Sequence, residues 1–133
     1  NVAVKGAVVF EKYGPQIGWK ELQQILNDRA CVRYPCQVVF DSSALQAGEC
    51  AYPQPNGSRP QEGFTLFVHP LFLTEPACAA KLVLYQLVLV NYGEFASAGD
   101  AETFGAAALG LTPDRYYAEL CELADQLAEA TTT

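Results

Sequence analysis

From Leu82 to Val90 the chain reads LVLYQLVLV, a run of apolar and aromatic residues interrupted only by Gln86. With EPACAAK before it and Asn91 after it, the stretch predicts a helix over 75–91 with no face left for water. A helix that is apolar all round belongs at the centre of a fold. Thr74 is placed to cap its first turn, Glu75 suits the positive helix end and Pro76 is tolerated there, while Gly93 is placed to stop it. The nine-residue run alone would also suit a buried strand, but its length with flanks and its caps favour the helix.

The rest of the pattern arranges itself around that segment. Val2 to Phe10 (VAVKGAVVF) is rich in β-branched residues and predicts a strand, with Gly6 as a weak point or bulge. Trp19, Leu22, Ile25 and Leu26 recur at helical spacing between polar residues, predicting a helix over 19–27. QVVF at 37–40 predicts a short buried strand, followed by the turn formers Asp41-Ser42-Ser43. A further strand near 49–52 leads into YPQPNGSRPQE, whose prolines and Asn56-Gly57 predict an exposed loop. FTLFVH at 64–69 alternates Phe64, Leu66 and Val68 with Thr65, Phe67 and His69, a strand closed by Pro70. Beyond Gly93, Asp100 is placed to cap a helix through AETFGAAAL, ended by Gly110. Thr112-Pro113 opens a last amphipathic helix over 113–130, and the terminal threonines are expected to fray. The order predicts an α+β fold in a single domain over 1–133: a small mixed or antiparallel sheet of three to four strands packed on a central buried helix, with further helices C-terminal.

Composition narrows the function. Half of the 133 residues are hydrophobic and charged residues make up 17%, a globular balance. A net charge of −7, with the eight Lys and Arg residues scattered, argues against a nucleic-acid backbone or an anionic membrane as the main partner. The apolar run is far short of the ~20 residues of a membrane span. The five cysteines include no CxxC pair, and His69 is the single histidine, so a structural zinc site is not indicated. Cys31, Cys36 and Cys50 lie near enough in sequence to bridge, but reduced thiols in a cytoplasm are the expectation. The first residue is Asn rather than Met, which leaves room for a removed leader. Tyr13, Tyr34, Tyr52, Tyr92, Tyr116 and Tyr117 suit either core positions or a partly exposed aromatic surface of the kind interfaces use.

The strand FTLFVHP, the acidic-Pro opening, the long buried helix LVLYQLVLVNYG and the segment DAETFGAAALG together resemble the minimal zincin domain of SprT-like and ImmA/IrrE-type metallopeptidases. The resemblance spans roughly 19–110. It implies a cleft-edge strand at Phe64–His69, a metal-site helix at the apolar run and a third ligand on the next helix. The residues that would carry the chemistry are missing. In HExxH, two His four apart bind zinc and the Glu activates the bound water. Here the matching pentad is Tyr85-Gln86-Leu87-Val88-Leu89, so Tyr85 and Leu89 replace the two His and Gln86 replaces the base. Leu cannot ligate a metal and an amide cannot act as a general base. Asp100 alone keeps a residue type fit for the third position.

The resulting expectation is a degenerate, non-catalytic metallopeptidase-like domain that serves as an interaction or assembly module. It would hold no metal or cofactor, and its partner would be another protein or a second copy of itself. Tyr85, Gln86, Leu89, Asp100 and His69 are the expected binding residues. Two alternatives stand beside it: a small-ligand binder using the vacated cleft near Tyr85 and Gln86, and a thiol or metal enzyme using His69 with a cysteine or with Asp100. No GxSxG elbow, P-loop or GxGxxG occurs.

Overall fold

The computed structural model describes residues 1–132. Over the described residues the fold is α+β, with five α-helices and one three-stranded mixed sheet. Helices α1 (Val2–Tyr13) and α2 (Trp19–Leu26) precede strands β1 (Cys36–Phe40), β2 (Ala51–Pro55) and β3 (Phe64–Val68). Helices α3 (Pro76–Tyr92), α4 (Ala98–Leu109) and α5 (Pro113–Thr131) follow.

The N-terminal segment overturns its sequence expectation, being helix α1 rather than a strand. The Asn1 side chain accepts hydrogen bonds from the Ala3 and Val4 amides and caps its first turn. Packing against α4 decides the matter. Gly6 lies so close to α4 that a Cβ there would stand 2.5 Å from the Phe104 carbonyl oxygen and 2.7 Å from Ala107 Cβ. That approach depends on the small residues of α4 and outweighs a β propensity that is itself context-dependent. Val2, Gly6, Val9 and Tyr13 in fact follow helical spacing, and Gly6 and Val9 are buried.

β3 is the central strand, parallel to β1 and antiparallel to β2. Its Leu66 and Val68 are buried on the face that meets α3, whereas Thr65 and Phe67 belong to the opposite face. On that opposite face the register aligns Val39, Phe67 and Tyr52 in one row and Gln37, Thr65 and Gln54 in another. β2 runs through Pro53 and Pro55, which the sequence places in the loop. His69 N donates to Cys50 O and Asn56 N donates to Gly63 O, so even-numbered positions of β2 face β3. The two prolines therefore stand on the outer edge, where a missing N–H costs no ladder bond and blunts further strand pairing.

Helix α3 is the hub, touching the sheet on one side and α2, α4 and α5 elsewhere. Ala79, Ala80, Leu82, Val83, Leu84, Leu87, Val88 and Val90 are buried along it. Its N-cap is Glu75 rather than Thr74, with Pro76 in the first turn and Gly93 (φ 59°) ending it. α4 packs between α1, α3 and α5. Its cap is Ser97, not Asp100: Ser97 Oγ accepts from Asp100 N and the Asp100 carboxylate accepts from Ser97 N. Asp100 is thus the third helical residue of a reciprocal box and not the cap that the sequence reading made it. α5 begins at the expected Thr112-Pro113 and ends at Thr131, the first residue of the tail expected to fray; Thr133 lies outside the described residues. Tyr116 is fully buried, its hydroxyl donating to Lys81 O at 2.6 Å, which ties α5 to α3.

Candidate functional site

A groove of about 280 Å³ opens where β2, α3, α4 and α5 meet. α3 contributes Leu82, Tyr85 and Gln86, because these positions lie three and four apart and share one helix face. α5 contributes Tyr117, Leu120, Cys121 and Ala124, a stripe at i, i+3, i+4 and i+7. That stripe runs beside the buried one of Tyr116, Leu123 and Leu127, so α5 carries more apolar surface than its core contact uses. Glu102 from α4 and the Cys50–Ala51 entry to β2 complete the walls.

The groove is apolar with a few polar groups set into it. Gln86 is half-buried and makes no side-chain hydrogen bond among the described residues, contrary to the internal bond a fully buried amide would require. Partial exposure removes that requirement, since water can serve the amide. Glu102 likewise forms no ion pair or hydrogen bond among the described residues. The Tyr85 hydroxyl is held above its usual pKa by burial first and by the Glu102 charge second. Tyr117 stands 55% exposed at the rim, its own pKa raised chiefly by the neighbouring Cys121 thiol.

The expected binding residues do not gather in one place. Tyr85 and Gln86 share the groove, but Leu89 is not among the residues that line it. Asp100 lines a separate cleft with Asn1, Val2, Tyr92 and Phe95. His69 lines a third, with Ser42, Leu45 and Leu127 among its neighbours. The carboxylate that faces Tyr85 is Glu102, two residues further into α4 than Asp100 and so on a different side of that helix. Sequence reading missed Glu102, Tyr117 and Cys121; the doubled apolar stripe of α5 was the signal that pointed to two of them.

His69 and the thiols of Cys31, Cys36 and Cys50 lack the features of an activated nucleophilic pair. His69 Nδ1 accepts from Leu71 N at 3.1 Å, which leaves the neutral ring a proton on Nε2 and no second acceptor. The thiol nearest in the ladder is Cys50, joined to His69 through its backbone carbonyl, and burial raises its pKa, assisted by the charge of Glu49. Burial also pushes the Cys31 and Cys36 thiols up to about 11. A nucleophilic cysteine needs the opposite shift. All five cysteines are free thiols, and no cluster of three or more His, Cys, Asp or Glu among the described residues is placed to hold a metal ion. No described helix is long and apolar enough to cross a membrane.

No protein-family model, curated protein or solved structure matches the chain.

Proposed function

We propose that this chain is a non-catalytic interaction domain whose working surface is the groove between β2, α3, α4 and α5. The observation that carries the reading is the pairing of an apolar wall with two uncommitted polar groups, Gln86 and Glu102, beneath the exposed ring of Tyr117. Such a wall takes up an apolar side chain; the amide satisfies a backbone or side-chain polar group beside it. Glu102 favours a Lys or Arg on the same segment. The groove falls just below the ~300–1,000 Å³ range of small-molecule sites and is open to solvent. A side chain or two from a protein segment therefore suits it better than an enclosed small ligand. In the metallopeptidase-like layout, the pentad positions Tyr85 and Gln86 then serve as recognition residues where the related enzymes keep a ligand and a base.

A phage-displayed peptide library panned on the whole chain tests this. The expected result is enrichment of segments with an apolar residue next to Lys or Arg. Binding of the selected peptides is expected to weaken ~10-fold or more in Tyr117→Ala and, for the basic residue, in Glu102→Gln. Selected peptides indifferent to both changes, or no enrichment at all, would remove the groove as the working surface.

A further inference from the structure

On a chain with a net charge of −7, three of the eight Lys and Arg residues line one cleft of about 320 Å³: Lys5 of α1, and Arg29 and Arg33 of the α2–β1 connection. No Asp or Glu is among the residues that line it. The nearest acid in sequence, Asp28, is already committed to Lys12 Nζ and the Tyr13 hydroxyl, each at 2.7 Å, and to the Ala30 amide at 2.9 Å. Among the other cations, Lys12, Lys81 and Arg115 are ion-paired. The cleft thus concentrates positive charge without a counter-charge, on a molecule whose overall sign is opposite.

Its donors are held in place. Arg29 Nη1 donates to Leu26 O and Val32 O, which orients the guanidinium and leaves its remaining N–H groups uncommitted. The Arg33 guanidinium lies 5.7 Å from the centroid of the Tyr92 ring. Asn91 locks the connection to the end of α3: its Oδ1 accepts from Arg33 N at 2.8 Å and its Nδ2 donates to Cys31 O at 3.1 Å. The negative C-terminal ends of α2 and α3 attract Arg29 and Arg33 by themselves. They do not explain why Lys5, from a different element, joins them, nor why no carboxylate does.

We infer that this cleft is a binding site for a phosphate group, free or as a small monoester. Two planar guanidinium forks and one ammonium match a compact, doubly charged tetrahedral oxyanion. The site is separate from the apolar groove and does not rest on it.

The test is titration of the whole chain at low ionic strength with inorganic phosphate and, separately, with glycerol 1-phosphate, followed by amide NMR. Saturable shifts centred on Lys5, Ala30, Cys31, Asn91 and Tyr92 are expected. Lys5→Gln and Arg33→Gln replace exposed side chains, and each is expected to weaken binding ~10-fold with an unchanged spectrum elsewhere. Tighter binding of the monoester would assign the site to phosphate esters; tighter binding of inorganic phosphate would assign it to the free ion. The inference is overturned if the shifts are linear in phosphate, if both variants bind as tightly as the unchanged chain, or if sodium acetate at equal ionic strength reproduces them.

Discussion

Asp28 shows how much one exposed-looking carboxylate can organise. It accepts from Lys12, Tyr13 and the Ala30 amide, and so joins α1 to the turn after α2. Those bonds, Lys12 first, hold its pKa well below the usual 3.8. A depressed carboxylate stabilises the fold above its unfolded pKa, and that contribution is lost as pH falls through the folded value. Stability of the chain is therefore expected to decline as pH drops from ~5 through the normal carboxylate range and below it. Asp28→Asn should lower stability at neutral pH and flatten this acid limb. Urea melts at a series of pH values measure both; an acid limb of unchanged slope in the variant would show that Asp28 does not drive it. Gln86 teaches the complementary point. In the sequence it looked like the one polar residue in a sealed helix, whereas the structure places it half-buried beside Tyr85 in an open groove. Its exposure depended on how α5 is set against α3, which no residue of the LVLYQLVLV run encodes.

At the scale of elements, α1 and β2 carry the two clearest departures from the sequence pattern, and both have tertiary causes. VAVKGAVVF is locally ambiguous: its valines favour a strand, while Val2, Gly6, Val9 and Tyr13 fit a helix stripe. Close packing on α4 selects the helix, with Gly6 at the contact. Gly6→Ala raises intrinsic helix propensity by up to ~1 kcal/mol. Its new methyl would nonetheless fall 2.5 Å from a backbone oxygen that cannot swing away. The net expectation is a loss of ~1–3 kcal/mol by overpacking, measured by denaturant unfolding; a stabilised variant would mean that the α1–α4 contact is looser than described. β2 departs for a different reason. Pro53 and Pro55 read as loop formers because proline cannot donate to a ladder, but an edge strand has one side that needs no donor. Only the placement of β2 at the edge of the sheet makes the prolines compatible with it.

Across the whole molecule, α3 separates a sheet on one side from a layer of helices on the other, and the surface is divided by chemistry. The apolar groove opens where the sheet edge meets α3 and α5, while the basic cleft lies at the end of α3 against α1. The metallopeptidase resemblance is testable on this scale. The triple change Tyr85→His, Gln86→Glu and Leu89→His would return the HExxH residues to α3. Since Glu102 faces Tyr85 while Asp100 lines another cleft, zinc bound by this variant is expected to depend on Glu102. Calorimetry should then show zinc affinity lost with Glu102→Gln and kept with Asp100→Asn. A folded triple variant with no zinc affinity above the parent would reduce the likeness to a coincidence of helix spacing.

Patterning along the chain was enough for the α+β class, the central helix at 75–91, the amphipathic helix from Pro113, the glycine stops at Gly93 and Gly110 and a strand beginning at Phe64, though not for its place in the middle of the sheet. Each rests on local physics: period, caps, and residues that cannot continue an element. Tertiary packing alone decided that Val2–Tyr13 is helical and that the prolines of β2 lie on an edge. It likewise separated Asp100 and His69 from Tyr85, and gathered Lys5, Arg29 and Arg33 in one cleft. Those outcomes depend on which surfaces of distant segments meet, and periodicity within a segment carries no record of the partner across the core.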